Sequence, residues 1–143
     1  MTIAILWPTL ALVALIFAVL ITMAVQRLGY IKRNPPAATD FASADSAARY
    51  YQPVARAGDN YVNLFEMPVL FFALVPLLLI FHHAGHVQVA LAWIYVALRL
   101  VHSIIHIGPN KVPQRFAVFL VSCIVLAVMW VGFGIDMAGA SAL

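Results

Sequence analysis

Four long apolar segments, separated by three polar connections, set the pattern of this chain. The segments are residues 3–25, 62–81, 87–107 and 116–135. Each is close to the length of about 20 apolar residues that a helix needs to cross the hydrocarbon core of a bilayer. Because a segment surrounded by lipid has to satisfy its own backbone hydrogen bonds, we predict four transmembrane helices. The predicted fold class is all-α, an integral membrane four-helix bundle with residues 1–143 as its single transmembrane domain.

The polar connections carry nearly all of the basic residues. The first connection, about residues 26–61, contains Arg27, Lys32, Arg33, Arg49 and Arg56. Lys111 and Arg115 lie in or beside the third connection, whereas Arg99 alone falls within a span. Basic loop residues accumulate on the cytoplasmic side of membrane proteins, so we expect both of these connections to be cytoplasmic. Both termini, and the second connection with His83, should then face outward.

The composition excludes a soluble domain of this size. Hydrophobic residues make up 65% of the chain and charged residues only 9%, and the mean hydropathy is +1.01. The net charge of +3 is explained by basic residues beside the spans, which anchor and orient them, so no nucleic-acid partner is expected. Cys123 is the only cysteine, which excludes an internal disulfide and any mechanism that needs a cysteine pair.

Polar side chains within the second and third spans form two stripes at helical spacing. The stripes are Asp59, Asn63 and Glu66 on the second span and Arg99, His102 and His106 on the third. An ionised side chain inside a bilayer costs roughly 2.5–3.5 kcal/mol or more unless it is paired or reaches water. Two such stripes on adjacent antiparallel helices therefore predict a shared polar pocket.

The depths of these residues predict which of them meet. Counted from the basic side, Glu66 and Arg99 fall at overlapping levels, so the two groups could form an ion pair. Arg27 and Arg115 stand at the mouths of the first and fourth spans, on the same level. The result is a cationic pocket with one carboxylate, open to the cytoplasm and suited to a small anionic ligand. The alternative is a buried Glu66–Arg99 pair that only fixes helix register, with Asn63 as an interhelical hydrogen bond.

The histidines do not indicate a metal site. His102 and His106 have the i, i+4 spacing that suits a metal or a haem, but no second histidine-bearing span lies at their depth. The other three histidines, His82, His83 and His86, lie at the opposite side of the membrane without a carboxylate or cysteine partner nearby in sequence. We therefore predict a polar turn there and no bound metal.

The order of these motifs resembles the MAPEG family, the membrane-associated proteins in eicosanoid and glutathione metabolism. The segment that begins at Arg56 and ends at Pro68 contains Asn63 and Glu66, and is similar to the family's Asn-x-x-Glu signature. Arg99, His102 and His106, followed by Arg115 at the start of the fourth span, are similar to its second signature. Arg27 also matches a family position, so the resemblance covers nearly the whole chain.

The resemblance implies a bacterial-type inner-membrane homotrimer that binds glutathione, as cosubstrate, between subunits near the cytoplasmic face. Members are transferases, peroxidases or isomerases acting on lipophilic small molecules, and at least one member only binds lipid. By motif position, six residues would hold the tripeptide: Arg27, Asn63, Glu66, Arg99, His102 and His106. Arg115 would attend the sulfur as the catalytic residue. Membrane lipids are the remaining expected partners.

Three positions depart from the family pattern. Asp59 stands where many members carry a basic residue, and His106 stands where a tyrosine is usual. Phe116 follows Arg115 where a prostaglandin-isomerase-like member has a hydroxyl, which argues against that isomerase chemistry.

The sequence therefore favours a glutathione-dependent transferase or peroxidase that activates the thiolate toward lipophilic electrophiles. One alternative is a non-catalytic binding or accessory subunit with the same fold. A small proton-coupled transporter that uses Glu66 is less favoured, because a neighbouring arginine would hold that carboxylate ionised.

Overall fold

The computed structural model describes residues 3–140, and these residues are almost entirely helical. The six α-helices are α1 (Leu6–Arg33), α2 (Ala44–Tyr51), α3 (Ala55–Glu66), α4 (Pro68–Ile80), α5 (His86–Ile107) and α6 (Val112–Ala140). Short 3-10 turns at Ile3–Ile5, Ala38–Phe41 and Gln52–Val54 complete the chain. The terminal residues Met1 and Leu143, which the topology prediction places outside, lie beyond the described range.

Four helical stretches are long and apolar enough to cross a membrane. They are Ile3–Arg33, Ala44–Ile80, His86–Ile107 and Val112–Gly139. The prediction of an all-α membrane protein with four spans is therefore confirmed. The end of the bundle that carries residues 26–61 and 108–111 holds the C-terminal ends of α1 and α5 and the N-terminal end of α6, and is called the basic end below.

The helices continue beyond the apolar runs that mark them in the sequence. Helix α1 extends past residue 25 to Arg33, where the N–H of Asn34 closes the last turn on the carbonyl of Tyr30. The helix stops here because a residue that precedes proline, as Asn34 precedes Pro35, is disfavoured in helical conformation. Helix α6 likewise begins at Val112, ahead of the apolar run, since backbone hydrogen bonding does not end at the lipid boundary.

Proline divides the second span into two helices. Pro68 has no N–H to continue the helical ladder, so α3 ends at Glu66 and α4 begins at Pro68. Met67 between them keeps helical backbone angles, φ −65° and ψ −35°, so the two helices form one continuous span. A second proline, Pro76, lies inside α4. Neighbouring helices tolerate such breaks in membranes by satisfying freed backbone groups.

The first connection is more ordered than its composition indicates. Helix α2 begins at a capping box in which Ser43 Oγ accepts a hydrogen bond from the backbone N–H of Ser46. Rings from α1, the 3-10 turn and α2 then pack together in pairs with centroids 5.0–5.8 Å apart: Tyr30, Phe41, Tyr50 and Tyr51. This aromatic cluster holds the connection against the basic end.

The apolar core fills the half of the bundle away from the basic end. Helices α4, α5 and α6 bury Phe71, Tyr95 and Met129 there, and the Phe71 and Tyr95 rings stack at 5.1 Å. Elsewhere large apolar side chains such as Phe17 and Phe65 face outward, as expected for a surface that lipid covers. The core fixes the relative positions of α5 and α6, the most extensively packed helix pair, and these two helices carry most of the candidate site.

Candidate functional site

Arg99 is the centre of the polar cluster. Its side chain is fully buried at the level where α3 passes α5. Nη2 of Arg99 donates to the backbone carbonyl of Asn63 at 2.9 Å and to Oδ1 of the same residue at 2.5 Å. Nδ2 of Asn63 in turn donates to Oε2 of Glu66 at 3.3 Å. The asparagine amide therefore links the arginine to the carboxylate.

The direct ion pair that residue depths predicted between Glu66 and Arg99 is not formed. Within residues 3–140 the only ion pair joins His83 to Asp136, with 3.4 Å between Nδ1 and Oδ2, at the opposite end of the bundle. The reason is rotational: α3 turns Asn63 toward α5, whereas Glu66 is exposed on the outer side of the helix. The predicted depths of Glu66 and Arg99 agree with the structure, in which the Asn63 amide links the two groups, but the predicted direct contact between them is wrong.

Arg99 retains unused hydrogen-bonding capacity. Its Nε and Nη1 atoms are buried and have no partner among the described residues. The guanidinium carbon lies 5.7 Å from the ring centroid of Phe119, a cation–π contact that compensates only part of the lost solvation. A buried cation without a carboxylate at its side costs several kcal/mol on the general scale for buried ions. An anionic group from outside the chain could accept hydrogen bonds from these two nitrogens and balance the charge of Arg99.

Two histidines extend the cluster along α5. The His102 side chain is only 3% exposed, and its Nδ1 lies 3.2 Å from the backbone oxygen of Arg115 on α6. The His106 ring stands perpendicular to the His102 ring at 5.5 Å between centroids. Nε2 of His102 and Nδ1 of His106 are both buried without a partner in the part of the chain that the structure describes.

A cleft of about 170 Å³ opens between α3, α5 and the first turns of α6. Its lining consists of Asn63, His102, Val112, Arg115, Phe116 and Phe119. The Arg115 guanidinium is half-buried at the mouth, where Nη1 donates to Oδ1 of Asn110 at 2.8 Å. The N-terminal end of a helix carries a partial positive charge that favours anions by about 0.3–1 kcal/mol. Arg115 and the start of α6 thus give the cleft a cationic wall, and its valine and phenylalanines give it an apolar one.

Arg27 packs against α2 and α3 outside the lining of the cleft. Its guanidinium carbon is 4.7 Å from the ring centroid of Tyr51, and its Nε is buried without a partner in the described chain. Gly58 makes room for it, since a Cβ at that position would come within 3.0 Å of Arg27 Nη2. Arg27 is not part of the lining of the cleft in its own chain.

Two polar contacts near the cluster were absent from the sequence-based site. The fully buried Asn60 accepts a hydrogen bond at its Oδ1 from Oγ of Ser103 at 3.3 Å, which joins α3 to α5. Nη1 of Arg56 donates to the carbonyl of Gly108 at 2.8 Å and joins the same helices at the basic end. Asn60 lies one helical turn before Asn63, and this helical spacing in the sequence could have identified Asn60 as part of the polar stripe.

Across residues 3–140, no group of three or more histidine, cysteine, aspartate or glutamate side chains is placed to hold a metal ion. His102 and His106 are close to one another, and both acidic residues of α3, Asp59 and Glu66, are exposed.

The comparison with known families agrees with the order of the motifs. The model of the MAPEG family matches residues 5–135, a range that contains the cleft, Arg27 and the whole of α3 to α5. No curated protein and no solved structure gives a significant match to the chain. The matched range covers most of the 143 residues. The resemblance carried by the asparagine–glutamate and arginine–histidine motifs is thus confirmed, and the chain belongs to the MAPEG family.

Proposed function

We propose that this membrane protein is a glutathione-dependent transferase or peroxidase that acts on lipophilic electrophiles. The observation that carries the proposal is the fully buried Arg99, whose Nε and Nη1 lack partners in the described chain beside a cleft lined by Arg115. Glutathione is an anionic tripeptide, and family membership makes a glutathione-related role the first one to test. A carboxylate of the tripeptide would accept from the free nitrogens of Arg99, and Asn63 would hold the guanidinium in place.

Arg115 is the group that we assign to the sulfur. A free thiol has a pKa near 8.5, and each unit of lowering requires about 1.4 kcal/mol of preferential stabilisation of the thiolate. A guanidinium and the N-terminal end of a helix in a partly dry cleft can supply an interaction of that size. The apolar side chains Val112, Phe116 and Phe119 line the same cleft, and they would receive a hydrophobic electrophile that enters from the lipid.

The proposed assembly is a homotrimer. Ligand pockets commonly have volumes of about 300–1,000 Å³, whereas the cleft of a single chain has about 170 Å³. Glu66 and Asp59 are exposed on α3, where contact with lipid would be costly for a carboxylate. A second copy packed against α3 would cover these groups and enlarge the cleft. Arg27 and His106, which do not line the cleft of their own chain, would then bind the tripeptide across that interface or at its edge.

The proposed orientation follows from charge. The basic end carries the first and third connections, with Arg33 and Lys111 exposed, so we place that end and the mouth of the cleft in the cytoplasm. A cytoplasmic mouth gives access to glutathione, a water-soluble molecule, while the electrophile arrives through the bilayer. A bacterial inner membrane is the proposed location.

A binding or accessory subunit is the second candidate, and one contact favours it. Nη1 of Arg115 already donates to Oδ1 of Asn110, so part of this guanidinium is held by the loop instead of facing a sulfur atom. In that case Arg99 would still bind an anion, but nothing would lower the thiol pKa.

The experiment that separates the two candidates is a titration of the bound thiol. Thiolate absorbs in the ultraviolet, so a pH titration of the glutathione complex measures its pKa directly. If the chain is an enzyme, Arg115→Ala should raise the bound-thiol pKa and lower turnover with chlorodinitrobenzene, while glutathione affinity changes little. The matched control is Arg33→Ala, because Arg33 is exposed and its Nε donates within its own helix to the carbonyl of Gly29.

Two results would contradict parts of the proposal. Equal pKa values in wild type and Arg115→Ala would refute the catalytic assignment of Arg115 and leave the binding subunit. Absence of calorimetric heat and of any rise in melting temperature with millimolar glutathione would refute glutathione as the ligand.

A further inference from the structure

We infer that His102 acts as the general base that removes the thiol proton, with Arg115 stabilising the thiolate that results. The inference rests on the proposed function, because it requires a thiol such as glutathione in the cleft. His102 lines that cleft together with Arg115, and only 3% of its surface is exposed. A base and a cation on the same small cleft can act on one sulfur atom.

The hydrogen bond to α6 fixes which nitrogen carries the proton. A backbone carbonyl can only accept, so the Nδ1 atom of His102, 3.2 Å from the oxygen of Arg115, has to be the N–H of the ring. In the neutral imidazole the other nitrogen, Nε2, is then the one with the free lone pair. Nε2 is the atom that is buried without a partner within residues 3–140. The fold therefore presents a basic nitrogen in a single tautomer, which a general base requires.

Burial and the surrounding charges together decide when that nitrogen can hold a proton. Burial of the ring, and then the positive groups on α5 and α6, oppose an imidazolium in the free protein, and the carboxylates on α3 offset this only from exposed positions. These neighbours are Arg99 and His106 on α5, Arg115 on α6, and Asp59 and Glu66 on α3. A thiolate in the cleft reverses the balance, because an adjacent imidazolium and thiolate stabilise one another as an ion pair. The proton should therefore move to His102 only when the thiol is bound.

Deprotonation of the thiol and the substitution that follows need only glutathione, His102, the electrophile and water. The S–H bond breaks, its proton goes to Nε2 of His102, and the electron pair remains on sulfur. Sulfur then forms a bond to the electrophilic carbon of chlorodinitrobenzene, and chloride leaves with the bonding pair. The imidazolium releases its proton to water, which returns the site to its starting state. His106, perpendicular to His102 at 5.5 Å, lies on the side of the ring toward the basic end and offers a route for that release.

A proton count on the wild-type protein tests the inference. The solubilised protein is mixed with glutathione in weak buffer, and thiolate absorbance is compared with protons released to an indicator dye. If His102 takes the proton, clearly fewer protons appear in solution than thiolates form. One released proton for each thiolate would overturn the inference and leave the proposed function standing. No thiolate at all would overturn both.

Two variants supply an independent readout. His102→Asn keeps a side-chain N–H near the position of Nδ1 but removes the basic nitrogen, and general-base removal commonly costs 10²–10⁴-fold in rate. We expect turnover to fall by on the order of 10²-fold and the remaining thiolate to release one proton each. His86→Asn is the matched control, because His86 is exposed at the other end of α5. Unchanged turnover and proton count in a folded His102→Asn protein would refute the role of His102.

Discussion

Replacing Arg99 by methionine should separate ligand binding from stability. The change removes two hydrogen bonds to Asn63, each worth about 1.5–3 kcal/mol for a charged donor. It also removes two buried nitrogens without partners in the described chain, each of which costs about 1–3 kcal/mol. Methionine is unbranched and fills irregular apolar space well. The opposing contributions nearly cancel, so the free energy of unfolding of the ligand-free protein should change by less than about 2 kcal/mol.

Binding should respond very differently. Loss of one partner from a buried, hydrogen-bonded charge pair costs about 2–5 kcal/mol, and each 1.4 kcal/mol is about tenfold in affinity. Glutathione affinity of Arg99→Met should therefore fall by at least about 30-fold. Thermal melting without ligand gives the stability, and calorimetric titration with glutathione gives the dissociation constant. Arg33→Met, at an exposed arginine of α1, should leave both values unchanged.

The opposite pattern would refute this reasoning. If Arg99→Met melts far below wild type without ligand yet binds glutathione with wild-type affinity, Arg99 only fixes the packing of α3 against α5. That outcome would support the structural alternative raised by the sequence, in which the buried polar groups set helix register.

Two further predictions concern the coupling of Glu66 to Arg99 and the orientation of the protein in the membrane. The losses of glutathione affinity caused by Glu66→Gln and Arg99→Gln should be less than additive in the double mutant, because the Asn63 amide joins the two groups. This coupling should vanish in an Asn63→Ala background. Strict additivity with Asn63 present would show that the amide does not link the two groups. In a Cys123→Ala background, a cysteine introduced at residue 83 should react with an impermeant reagent added outside the cell, and one at residue 40 should not. Strong labelling at residue 40 would reverse the proposed orientation.

Much of the candidate site could be predicted because its residues are conspicuous in apolar runs. Spacing and depth indicate Arg99, His102 and Arg115. The structure places His102 and Arg115 in the lining of one cleft, and Arg99 contacts two other lining residues, Asn63 and Phe119. The sequence was less informative about Asn60 and Ser103, whose contact joins α3 to α5, because small polar side chains occur widely in membrane helices. Arg27 was placed at the correct end of the bundle, but its contact with Tyr51 depends on a connection that only the fold arranges.

The sequence by itself determined the four spans, since lipid imposes the same local requirement on every apolar run: sufficient length and internal backbone hydrogen bonding. It also determined that ionisable groups lie within those spans. The tertiary structure decided which groups meet. The rotation of α3 brings Asn63, and not Glu66, to Arg99, and the packing of α6 on α5 sets the tautomer of His102 through the carbonyl of Arg115. Such contacts depend on helix rotation and side-chain reach across separate segments, which spacing along one helix does not specify.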